Sequence, residues 1–191
     1  MLSGDIIQNI SNWSAWACKP DVQRYDVALL KIWIQFERFL GDLFISYALG
    51  NASEKGYSPK LKIRFQDEEQ FNALMRQKGK NYVEYLDRIE SLSPHIFVDN
   101  PFDILLSDAN IKTSYEQMKA IRNYIAHESG EAKSKLINKC FNGNDSRFVE
   151  PNDYLQTREK STKDTFYTYY VKTIENVVNL LISPAGTGIV I

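Results

Sequence analysis

Apolar residues recur along this chain at intervals of three and four, the spacing of one helix face, while the strict alternation of a half-buried strand is scarce. The longest pattern runs from Val22 to Leu49 and is opened by Pro20 and Asp21. Its stripe is Leu29, Ile32, Trp33, Phe36, Leu40, Leu43 and Tyr47, and Gly50-Asn51 ends it with residues suited to a left-handed cap. Glu37 sits at the edge of that stripe, where a carboxylate is half buried. A second helix is predicted from Asp67, because Asp67, Glu68 and Glu69 favour the positive end of a helix dipole. Phe71, Leu74, Met75, Tyr82, Tyr85, Leu86 and Ile89 form its core face, with Gly79 as a place to bend.

Pro94 and Pro101 then break the pattern, so Ser93 to Thr113 reads as irregular apart from a short helical turn around Phe102 to Leu106. A third helix is predicted from the capping box Thr113-x-x-Glu116, whose hydroxyl and carboxylate satisfy the first free backbone donors. Met118, Ile121, Ile125, Ala132 and Leu136 make its core stripe. Gly130 either ends this helix or only weakens it before a continuation to Phe141. Asn142 to Lys160 reads as a polar loop, after which Ser161 or Thr162 caps a last helix reaching Ile182. The aromatic cluster Phe166, Tyr169 and Tyr170 on that helix fits a core or a dimer surface better than a base-stacking platform.

The residues before Pro20, with Trp13 and Trp16, read as an N-terminal arm, and 184–191 as a tail. The expectation is a single all-α domain over 1–191, a bundle of four main helices plus short extra ones. A hydrophobic content of 43% beside 25% charged residues is that of a globular chain, and 191 residues can bury a real core. The formal net charge of −1 excludes a global attraction to nucleic acid, so any such attraction has to be local. Six basic residues from Lys112 to Lys139 against Glu116, Glu128 and Glu131 form a local patch, equally readable as a solvated helix face. Cys18 and Cys140 are isolated thiols without metal-ligand spacing, and a reducing cytoplasmic setting is expected. The first residues lack the basic region of a signal peptide, and no run reaches the roughly 18 uncharged apolar residues of a membrane span.

Chemistry concentrates in Arg122-Asn123-Tyr124-Ile125-Ala126-His127. With the core stripe fixed, the helix phase turns Asn123 and His127 outward, four residues apart on one face, with Glu116 and the small Ala120 near them. Arg122 flanks the stripe and reaches around. A guanidinium, an amide and an imidazole so placed suit the gripping of a phosphodiester and the movement of its protons. The plainer reading of His127 is a solvated surface histidine, and that of Arg122 an ion pair with a neighbouring helix. His95, the other histidine, reads as a loop residue. The Gly186-Thr187-Gly188 of the tail precedes no helix, which excludes a phosphate-binding loop.

This stretch, read as R-N-x-x-x-H inside a helix of an all-helical chain, resembles the signature of the HEPN superfamily of helical ribonucleases found in prokaryotic toxins and antiviral defence. Only the six-residue motif is specific, although the pattern of long helices over about residues 20 to 183 is similar too. The length and the first long helix bearing Glu37 look most like the RiboL-PSP-HEPN-like proteins. The resemblance implies a symmetric dimer that brings two motifs across one cleft, with Arg122, Asn123 and His127 catalytic and Glu37 supporting Arg122. It implies a metal-independent endoribonuclease without cofactor, with an RNA substrate and an antitoxin or other defence-system protein as partner. Lys119, Lys133 and Lys135 are the expected RNA-binding cations. The alternative is a non-catalytic module of the same fold that binds RNA, a nucleotide or a protein partner. The toxin members usually carry a modifiable Tyr two residues after the His. Here Ser129 occupies that place, and control by that modification is not carried over.

Overall fold

The computed structural model describes residues 3–75 and 85–184, and the fold is all-α. In chain order the helices are α1 (Ser3–Ala17), α2 (Tyr25–Ala48), α3 (Glu68–Met75), α4 (Tyr85–Ile96), α5 (Asp103–Ser107), α6 (Ala109–His127), α7 (Gly130–Cys140), α8 (Pro151–Gln156) and α9 (Phe166–Ile182). A 3₁₀ turn, Asp145–Arg147, precedes α8. Among the described residues extended pairing is confined to two isolated bridges, Leu61 with Phe97 and Arg158 with Thr165.

The predicted long helix is α2, and it is the axis of the molecule. It touches α1, α3, α4, α6, α8 and α9. Because neighbours enclose it on several sides, its burial is wider than one stripe: Phe39 and Phe44 are buried as well as Trp33, Phe36 and Leu40, whereas Leu43 is only partly covered. Phe44 sits in an aromatic knot with Phe71, Phe97 and Phe102, at centroid separations of 5.3, 6.1 and 5.3 Å. The far end of α2 is tied to α9, because the Tyr47 hydroxyl donates to Leu181 O at 2.8 Å and Ser53 Oγ to Ile182 O at 2.6 Å.

The N-terminal arm is instead a helix. Ile6 and Ile10 of α1 are buried against α2 together with Ala17, and Ser14 Oγ lies 2.9 Å from the Tyr167 hydroxyl of α9. Their spacing of four and seven was helical all along, but it was diluted by Ser, Asn and Gly, which are poor helix formers in isolation. Packing supplied what propensity lacked.

Other boundaries also moved. Pro94 lies in the last turn of α4 rather than ending it early, and His95 is a helical, exposed residue there. The motif helix opens at Asp108, not at Thr113: Asp108 Oδ1 accepts from Asn110 N at 2.8 Å and Ile111 N at 3.0 Å. The loop expected over Asn142 to Lys160 contains α8, with Pro151 in its first turn and Tyr154 and Leu155 buried. The last helix is capped by Thr165, which accepts from Thr168 N at 3.2 Å, while Ser161 and Thr162 bond Glu159 instead. The second predicted helix is present as α3 and α4; Gly79 and Tyr82 lie outside the described residues. Phe166, Tyr169 and Tyr170 belong to the core and its edge.

Candidate functional site

The geometry of the site depends on where α6 stops. Glu128 follows His127 in the left-handed conformation, with φ 47° and ψ 27°, and its N–H donates to Tyr124 O at 2.8 Å. Ser129 then caps the next helix, accepting from Ala132 N at 3.2 Å. Gly130 is therefore the first residue of α7, not a kink within one long helix. A two-residue turn folds α7 back along α6, and His127 becomes the last helical residue at the mouth of the angle between them.

That angle, closed on one side by α2, is a cleft of about 630 Å³. Arg122, Asn123 and His127 all line it, as do Lys119 and Lys135, and Glu37 enters from α2. Five of these six come from the α6–α7 hairpin and one from the central helix. The sequence reasoning missed Trp33, Ser129 and Glu131, which also form the wall. Trp33 lies one helical turn before Glu37, a spacing that puts both on one side of α2, so its place at the site was readable once Glu37 was suspected.

Within the cleft Arg122 Nη1 donates to Asn123 Oδ1 at 2.8 Å, a contact between sequence neighbours that holds the guanidinium in one pose. The Asn123 carbonyl is thereby used, which leaves the amide NH₂ to face an incoming group. Arg122 Nε and Trp33 Nε1 are both buried and have no hydrogen-bond partner among the described residues. Buried donors without acceptors cost free energy that an anionic ligand or water in the cleft offsets. Lys119 lies 3.7 Å from Asp87, and Lys135 2.7 Å from Glu131. The Lys135 ammonium, through its hydrogen bond and its charge, holds the Glu131 carboxyl below the usual carboxylate range. These are exposed pairs, readily exchanged for pairs with a phosphate.

Two expectations about this face change. Ala120 is buried, and Glu116 pairs with Lys139 of α7, because the folded-back helix covers the flank on which both lie. Lys133 does not line the cleft; its ammonium sits 4.2 Å above the Phe148 ring, a cation–π contact. Tyr124 lies by the same group, its ring 5.9 Å from Phe148 and its hydroxyl donating to Glu150 Oε1 at 3.3 Å. Partial burial, and then the Glu150 charge, push the Tyr124 phenol up.

Among the described residues no group of three His, Cys, Asp or Glu side chains is placed to hold a metal ion. No described helix is long and apolar enough to cross a membrane. Compared with models of known protein families, with curated proteins and with solved structures, the chain matches none.

Proposed function

We propose that this protein is a metal-independent endoribonuclease of the HEPN type, acting in toxin or antiviral defence. The observation that carries the reading is the convergence of Arg122, Asn123 and His127 in one cleft with Lys119 and Lys135 at its sides. RNA holds its own nucleophile next to the scissile phosphate, so the protein has only to take the proton from the 2′-hydroxyl, stabilise the charge and protonate the leaving 5′-oxygen. Imidazole is the side chain whose ordinary titration range suits both proton transfers. Arg122, steadied by Asn123, spreads its remaining N–H groups toward the phosphorane oxygens, and the Asn123 amide adds a neutral donor. Oxygen–phosphorus bond formation at the 2′-oxygen accompanies loss of the 5′-oxygen, giving a 2′,3′-cyclic phosphate and a 5′-hydroxyl.

One chain contributes one imidazole to the cleft, whereas the reaction uses a base and an acid. A symmetric dimer that places two hairpins face to face supplies both, and His127 at the exposed end of α6 is accessible to a second copy. Glu37 then supports Arg122 from α2, as in the family resembled.

The test is cleavage of an end-labelled structured RNA in excess EDTA by the wild type and His127→Ala, with oligomeric state followed by light scattering. Cyclic-phosphate ends from the wild type alone support the proposal. RNA bound equally by both proteins without turnover makes this a binding module, and no binding by either refutes an RNA substrate.

A further inference from the structure

A second cavity, of about 390 Å³, lies between α6, the end of α7, α8 and the start of α9, and it shares no wall residue with the motif cleft. Asn110, Thr113, Ser114 and Gln117 enter it from the first half of α6, on a helical face turned well away from that of Arg122, Asn123 and His127. The two sites are therefore separate and flank one helix.

Its wall carries two kinds of chemistry. Three cations, Arg147, Arg158 and Lys160, come from the chain on either side of α8, and none makes an ion pair among the described residues. The acid in the same wall, Glu159, offsets one of these charges but makes no ion pair with them among the described residues. Its carboxylate accepts from Ser161 N and Thr162 N, both at 2.8 Å, and from the hydroxyls of Ser161 and Thr162 at 2.5 and 3.1 Å. The same wall carries rings. Phe166 is stacked on Tyr154 at 4.5 Å with 21° between the planes, and Tyr169 stands beside them. The floor beneath is rigid: the Tyr170 hydroxyl donates to Gln117 Oε1 at 3.0 Å and lies 3.1 Å from that of Tyr154, while Ser114 Oγ donates to Tyr169 at 3.1 Å.

From this arrangement we infer that the cavity binds a free nucleoside monophosphate, with the phosphate held by Arg147, Arg158 and Lys160 and the base laid against Phe166 and Tyr169. Two guanidiniums and an ammonium against one carboxylate, itself held by hydroxyls and backbone N–H groups, leave the wall net positive, the chemistry of a phosphate site. A partly exposed aromatic edge in the same wall favours a planar base over a sugar phosphate or inorganic anion. The amides of Asn110 and Asn142 give donors and acceptors for a base edge. The volume is near the lower end for small-molecule sites, room for one nucleotide and not for a length of strand. The inference stands independently of the ribonuclease reading, since it uses none of the motif residues.

The experiment is isothermal titration of the whole chain with AMP, adenosine and inorganic phosphate, repeated on Arg147→Ala/Arg158→Ala, Phe166→Leu and Arg122→Ala, each checked by circular dichroism. AMP is expected to bind more tightly than either fragment. The double arginine variant is expected to weaken it roughly a hundredfold, and Phe166→Leu about tenfold, with Arg122→Ala unchanged. No saturable AMP binding, or binding lost in Arg122→Ala and kept in the double arginine variant, overturns the inference. Phosphate binding as tightly as AMP overturns the nucleotide as ligand.

Discussion

For the proposed ribonuclease reaction, replacing Arg122 by lysine separates charge from shape at the centre of the motif cleft. The guanidinium offers five N–H donors in a plane. One, on Nη1, is committed to Asn123 Oδ1 at 2.8 Å, and the Nε–H is buried without a partner. A lysine ammonium has three donors at one point and cannot both hold Asn123 and grip two phosphate oxygens side by side. One charged hydrogen bond aimed at the developing oxyanion is thus lost, worth roughly 2.7–4 kcal/mol, a fall in kcat of about a hundred- to a thousandfold. Positive charge is retained, so ground-state binding of RNA changes little and KM stays within about threefold. Stability is nearly unaffected, because the change removes an unpartnered buried donor from a half-buried position. A melting shift under roughly 2 °C is expected. Single-turnover cleavage in EDTA, with melting followed by circular dichroism, measures all three quantities. A rate constant for Arg122→Lys above about one third of the wild-type value would refute the argument, since the fork would then contribute nothing beyond its charge.

Gly41 lies on α2 where an added Cβ overlaps the Tyr85 ring of α4, so Gly41→Ala gains about 1 kcal/mol of helix propensity and loses about 1–3 to overpacking. A lower urea midpoint is expected, and an unchanged or higher one contradicts the close approach. Burial pushes the Cys140 thiol up to about 12, whereas Cys18 is exposed. A thiol reagent at about pH 8 should therefore add once to the native protein, at Cys18, and twice after unfolding. Mass spectrometry decides, and equal labelling of both cysteines in the native state counts against this packing. The hydrogen bonds from Ser161 and Thr162 lower the Glu159 carboxyl to about 2. A folded-state value below the unfolded one contributes stability that is present above about pH 4.3 and lost as the pH falls toward 2. The melting difference between wild type and Glu159→Gln should accordingly be constant near neutrality and shrink across that interval; a difference that grows on acidification reverses the sign.

Legible along the chain alone are the helical class, the course of α2 and the gathering of polar chemistry on α6. These follow from local rules. A stripe from Leu29 to Tyr47 has one low-energy use, and Gly50 after it takes a positive φ of 83° as a helix stop requires. The same phase argument placed Met118 and Ile121 in the core and left His127 exposed.

Tertiary structure decided the rest, because the deciding interactions join residues far apart in the chain. α1 exists as a packed helix because Ile6 and Ile10 find α2, and Ser14 finds Tyr167 across 153 positions. Pro94 has no N–H to give to Glu90 O, and α4 continues past it because Ile96 and Phe97 just beyond are buried in the core. The site shows the division most clearly. Sequence put Arg122, Asn123 and His127 on one helix, but the turn at Glu128 and Ser129 chose which flank α7 would cover. That choice buried Ala120, brought Lys135 and Glu131 to the cleft, and left Lys133 over Phe148. A periodicity specifies which face of a helix is apolar; only packing fixes what its polar face meets, since polar side chains satisfied by water carry no preference strong enough to be read locally.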